Sequence, residues 1–165
     1  MHRMFRYRLY TRKQQENQLQ RHLDTCRDVH NALIHHCRHS PTLPSQYSLN
    51  MLLPALKQEH PEYASVHSQI LQNISKRIRD AYHGYYARRE AGLRAGRPRY
   101  KSADRYKSIT YPQSGFNVEG DRLNLSKIGS IRIRLHRPLG QTQRKKTSSF
   151  EEIEGMRGKG AFFIL

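Results

Sequence analysis

Residues 3–10 alternate, with Phe5, Tyr7 and Leu9 on one side and Met4, Arg6, Arg8 and Tyr10 on the other. A period of two predicts a half-buried strand with a basic outer face. From Lys13 to about Arg38 the period lengthens. Leu19, Leu23, Cys26, His30, Leu33 and Cys37 recur at steps of three and four, which is the single apolar stripe of an amphipathic helix. His30 stands inside that stripe, so it reads as a packed core histidine rather than a ligand. Residues 40–47 are a Ser- and Pro-rich loop, and Ser48 is the expected N-cap of a short helix toward Gln58, kinked or limited by Pro54. A third helix is the clearest feature: Val66, Ile70, Ile74, Ile78, Tyr82 and Tyr85 recur every three or four residues until Gly92 and Gly96. Gln69, Gln72, Lys76, Arg79 and His83 fall on its opposite arc, leaving one face to pack and one to touch a partner.

Residues 92–101 form a basic, Gly- and Pro-containing connector that neither a helix nor a central strand tolerates. Short strands are expected beyond it at Ser108 to Tyr111, Gly115 to Glu119, Arg122 to Leu125 and Ser130 to His136, the middle two joined by a Gly120-Asp121 turn. In the last of them Ile131, Ile133 and Leu135 alternate with Arg132, Arg134 and His136, repeating the basic-outside pattern of the first strand. The tail from Gln141 is poorly patterned until Ala161 to Leu165, an apolar end that reads as a final strand.

Charge changes the picture. The 165 residues carry 30 Lys and Arg against 13 Asp and Glu, a formal charge of +17. That is far beyond the roughly 2 to 8 units usual for a small soluble domain, so the expected partners are anions. Leu, Ile, Val and Phe make up about one residue in five, close to the lower bound for a chain that folds. No stretch has the apolar length of a signal core or a membrane span, so a cytoplasmic protein with no membrane contact is expected. Cys26 and Cys37 form no CxxC pair, and His35 and His39 lack the continuing ligand spacing of a metal site; no metal or cofactor is expected. Cutting a phosphodiester by the metal route needs converging carboxylates, usually one of them on a buried strand. Glu119 and Asp121 flank a hairpin turn, Glu151, Glu152 and Glu154 lie in the unpatterned tail, and no GxSxG elbow is present, so no intrinsic enzyme activity is expected.

Nucleic acid recognition instead needs cations that displace counterions, with aromatic or amide groups that stack on or pair with bases. The chain interleaves these in Arg6-Tyr7-Arg8, in Arg97-Pro98-Arg99-Tyr100-Lys101 and in Arg105-Tyr106-Lys107. Gln72 and Asn73 add amides on the flank of the third helix. The reading requires the cations to lie along one continuous surface, with Gln72 exposed.

Several segments, in order, resemble the N-terminal half of the TnpB (OrfB) transposon-associated proteins, RNA-guided nucleases regarded as ancestral to type V CRISPR effectors. They are Phe5-Arg-Tyr-Arg-Leu-Tyr10, Cys26-Arg-Asp-Val-His-Asn31, Leu71-Gln-Asn73 with Asp80-Ala-Tyr82, Gly96-Arg-Pro-Arg-Tyr-Lys-Ser102, Ile109-Thr-Tyr-Pro-Gln113, and Lys127-Ile-Gly129 leading to Ile131-Arg-Ile-Arg-Leu-His-Arg-Pro138. The resemblance implies an α+β fold, a small antiparallel β-barrel "wedge" with an inserted helical recognition lobe of about three helices. Its parts would be strand one in residues 1–11, the lobe in 12–95, the barrel strands in 96–140 and an atypical tail in 141–165. Wedge and lobe would grip structured guide RNA and duplex DNA. Gln72 would read a short DNA motif, with further contacts just after Tyr111, near Pro112 and Gln113. The candidate interface is therefore Arg6, Arg8, Gln69, Gln72, Asn73, Lys76, Arg79, Arg97, Arg99, Tyr100, Lys101, Arg105, Tyr111, Gln113, Lys127, Arg132, Arg134 and Arg137. The family's RuvC-like nuclease domain is not among these residues, so cleavage would need a separate nuclease chain. The rival readings are half of a split nuclease and a decayed transposon fragment.

Overall fold

The computed structural model describes residues 6–112, 114–134, 151–154 and 162–164. Strand β1 (Arg6–Tyr10) leads into helix α1 (Lys13–His39), then α2 (Gln46–Glu59), a 3-10 turn (Pro61–Ser65) and α3 (Ser68–Glu90). Strands β2 (Ser108–Tyr111), β3 (Phe116–Glu119), β4 (Arg122–Leu125), β5 (Gly129–Arg134), β6 (Glu151–Glu154) and β7 (Phe162–Ile164) follow.

The expected helices form where the apolar stripes lie. Leu19, Leu23, Cys26, His30, Leu33 and Cys37 are all buried along α1, and Ile70, Ile74, Ile78, Tyr82 and Tyr85 along α3. Helix α2 begins earlier than expected. Its N-cap is Ser45, whose hydroxyl accepts from the Ser48 amide at 3.0 Å, so Ser48 is the capped residue rather than the cap. Pro54 is accommodated within α2, and the chain then passes through the 3-10 turn, so Val66 packs just ahead of α3.

The sheet corrects the expected barrel. Its strands run in the order β2-β6-β7-β1-β5-β4-β3, every adjacent pair antiparallel, and the end strands β2 and β3 are not paired to one another. Within it β1, β5, β4 and β3 form one open four-stranded run. The ends do approach: the Tyr111 ring on β2 meets Phe116 on β3 edge-on, with centroids 6.3 Å apart. Closing a barrel takes continuous ladders around the circumference, and a side-chain contact between the ends is not a ladder.

Strand β2 is the junction of the molecule. Its alternation predicts only Ile109 and Tyr111 inward, yet all four of its residues are buried, because α1 and α3 pack over it. A strand at the end of the sheet is thereby protected by helices. One apolar core runs from Leu33 and Ile78 in the helices through Ile109 to Leu123 and Ile131 in the sheet. The apolar end of the tail forms β7 as expected. Glu151, Glu152 and Glu154, expected to lie outside any regular element, belong to β6, which bridges β2 and β7.

Candidate nucleic-acid interface

Alternation along β1 and β5 buries Tyr7, Leu9, Ile131 and Ile133 and turns Arg8, Tyr10, Arg132 and Arg134 to solvent. Register then decides which of these meet. Arg8 stands directly across from Arg134, Tyr10 across from Arg132, and Arg122 of β4 across from Arg132 on the other side. Four arginines thus share one face of three neighbouring strands. Arg122 was missed from the sequence, although alternation with buried Leu123 and Leu125 already turned it outward.

Like charges directly opposite on a sheet are destabilising. Glu119 of β3 stands across from Arg122 on its other side, its carboxylate accepting from Asn117 at 2.7 Å. Arg132 Nε lies 3.4 Å from the Asp121 carboxylate, an exposed pair of little worth. The Arg8 guanidinium leans over the Tyr10 ring at 5.8 Å. The side chains of Arg122 and Arg134 make no hydrogen bond or ion pair with a described residue.

A second basic group is built by the connector. Asn31 on α1 donates from Nδ2 to the Lys101 carbonyl at 3.0 Å and accepts the Lys101 amide at 2.8 Å, fastening the extended chain to the helix. Arg38 donates to the Pro98 carbonyl at 3.3 Å and sits 5.1 Å from the Tyr100 ring centre, while the Tyr100 hydroxyl lies 3.2 Å from His35 Nδ1. This pinning presents Arg97, Arg99, Tyr100 and Arg105 to solvent, with Lys101 half-buried.

The third group is the open arc of α3. Gln72 is exposed and makes no hydrogen bond with a described residue. Its neighbours are engaged. Gln69 Oε1 accepts from the Ser114 amide and hydroxyl at 3.1 and 2.8 Å, Lys76 pairs with Asp80 at 2.6 Å, and Arg79 donates to the Pro44 carbonyl at 3.0 Å. Lys127 projects from the β4–β5 turn in the left-handed region, at φ 69°.

Two expected interface residues lie elsewhere. Asn73 follows Ile70 by three positions and precedes Ile74 by one, which puts it on the packed side of α3, 5% exposed. Tyr111 is completely buried in β2, and its phenol is pushed well above its ordinary range, first by that burial. Neither reaches the surface. Gln113, Arg137 and the side chain of Arg6 lie outside the described residues.

Among the described residues the cations stand on three different parts of the chain: the sheet face, the connector and the open arc of α3. Gln15 near the start of α1 donates to the Ser130 carbonyl of β5 at 2.7 Å, whereas the connector is fastened at Asn31. Sixteen residues of helix set those two anchor points about 24 Å apart along α1.

Among the described residues, no helix is long and apolar enough to cross a membrane, and no three His, Cys, Asp or Glu side chains are grouped so as to hold a metal ion. What stands out is an α+β chain with arginines facing one another across an open sheet and a basic connector strapped onto a helix. Residues 1–40 match the family model HTH_OrfB_IS605, described as a helix-turn-helix domain, and that match supports an OrfB/TnpB-type transposase N-terminal region. Within the matched span the structure has β1 and α1, and the turn to α2 follows it. No curated protein matches the chain.

Proposed function

We propose that this chain is the nucleic-acid-binding part of a TnpB/OrfB-type transposase. It grips duplex DNA and structured RNA through its basic groups. DNA binding is the part that the matched transposase family itself suggests. The observation that carries the reading is the cross-strand pairing of Arg8 with Arg134 and of Arg132 with Arg122. A sheet bears such pairs at a cost to its own stability, and a row of phosphates is the partner that offsets it. Exposed Gln72, whose side-chain carbonyl and NH2 engage no described residue, is suited to pairing with base edges.

Salt dependence tests this. Log affinity for a DNA duplex should fall linearly with log salt, by about 0.9 for each phosphate contacted. Replacing Arg8, Arg122, Arg132 or Arg134 singly with Ser should lessen that slope by about 1 each. Affinity that is flat in salt, or a slope indifferent to all four substitutions, would overturn the proposal.

A further inference from the structure

Between α1, α3 and the connector lies a cavity of about 170 Å³ that the sheet arginines do not enter. Its walls are apolar where the helices meet, at Ile34, Ile74 and Ile78, with Tyr106 and the cations Arg77 and Arg99 also lining it. An engineered cavity of about 150 Å³ accepts a benzene ring, so this space suits one ring system and excludes a stacked pair.

His30 also lines the cavity. It is 7% exposed, and its Nε2 is buried with no hydrogen-bond partner among the described residues. A neutral imidazole carries one acceptor nitrogen, and Nε2, without a partner among the described residues, is free to take that role. Burial, and secondarily the Lys101 and Arg77 charges, hold the His30 pKa down at about 4, so the ring stays an acceptor at neutral pH. A buried acceptor left empty costs free energy, so the site wants a donor. The guanidinium groups of Arg77 and Arg99 make no hydrogen bond or ion pair with a described residue, and that of Arg77 lies 6.0 Å from the Tyr106 ring centre. A water molecule would satisfy Nε2, but it would use neither the apolar walls nor the two guanidiniums.

We propose that this cavity receives one unstacked nucleotide of a bound single strand. Its base or ribose donates a hydrogen bond to His30 Nε2, and its flanking phosphates rest on Arg77 and Arg99. The proposal rests on the nucleic-acid reading above and adds to it a site for a single, splayed-out residue, the mode by which single strands rather than duplexes are read.

The test uses the full chain, a short single-stranded RNA, its 2′-deoxy counterpart and a blunt DNA duplex. Ala81, an exposed residue of α3 on the cavity wall, is replaced by Phe to fill the space without touching a polar group. Ala81→Phe should weaken single-strand binding by roughly tenfold, within the range for losing one base-stacking site, and leave duplex affinity unchanged. The ¹⁵N resonance of His30 Nε2 should move when the RNA is added. Loss of affinity on the deoxy strand alone assigns the donor to the ribose hydroxyl, and equal affinity assigns it to the base; both support the site. Single-strand binding indifferent to Ala81→Phe, or a His30 resonance that stays put, overturns the cavity proposal and leaves the sheet interface standing. Failure to bind either strand or duplex overturns both readings.

Discussion

Four cations of the helices and the four arginines of the sheet are treated in opposite ways. On the helices Arg27 pairs with Asp24 and Asp28, Lys76 with Asp80, Arg79 with the Pro44 carbonyl and Arg89 with the Tyr85 hydroxyl. On the sheet, Arg8 faces Arg134 and Arg132 faces Arg122; Glu119 stands across from Arg122, and Asp121 is the only carboxylate in an ion pair with any of the four among the described residues. The difference separates charge used to settle a fold from charge held for something outside it. Internally paired cations add little and ask for nothing, whereas unpaired ones facing each other make the sheet more stable when an anion is bound than when it is not.

The comparison breaks first if the two parts do not share a core. Leu33 in α1 and Leu123 in β4 are both fully buried in one apolar cluster. Leu33→Ala and Leu123→Ala should each cost about 2–5 kcal/mol. Each should lower the midpoint of a single cooperative urea transition followed by circular dichroism. Two transitions, one sensitive to each substitution, would mean that the sheet and the helices fold separately and that β2 does not couple them.

Acid sharpens the comparison by acting on the helical part. The His30 pKa is lowered from 6.5 to about 4, chiefly by burial, and that of His22 on the same helix is lowered too, again by burial. Both histidines therefore take up protons more readily in the unfolded chain. Stability is then whole above pH 6.5 and declines as the pH falls toward about 4, where folded His30 titrates as well. The His30 share is on the order of 3 kcal/mol. Urea midpoints measured across that window should show the decline, and His30→Leu should flatten most of it. An undiminished decline in His30→Leu would locate the acid response at His22.

Stripes of apolar residues at helical spacing identified α1 and α3 almost to their ends, and alternation placed β2, β4 and the exposed arginines of β1 and β5. These signals are local, arising from a single face of a single element. The features that eluded the sequence are all relational. The Ser45 cap instead of Ser48 depended on where the loop turned. Burial of both faces of β2 depended on helices distant in sequence, and Glu151–Glu154 holds a strand because β2 and β7 flank it, against a weak propensity of its own. Asn73 was assigned to the interface as an amide on the flank of α3 and Tyr111 from resemblance, although the periodicity of α3 and the alternation of β2 already turned them inward. The His30 cavity had one legible trace, a histidine in an apolar stripe. What made it a site, the connector folding back over α1, came from the Asn31–Lys101 bonds.

The finest test of the comparison is also the smallest effect. Arg134→Thr removes one member of the Arg8–Arg134 pair while keeping a residue that suits a strand. In the absence of nucleic acid it should stabilise the chain, by about 0.2–1 kcal/mol, and more at low ionic strength than at high. With a saturating DNA duplex the sign should reverse, because the substituted chain loses a phosphate contact that the original keeps. Adding Arg8→Thr should then gain less than Arg8→Thr does alone, since the repulsion it would relieve is already gone. Urea midpoints with and without duplex read both signs in one experiment. A substitution that destabilises the free chain would show that the Arg134 stem and guanidinium support the sheet, and the contrast between settled and held charge would fall with it.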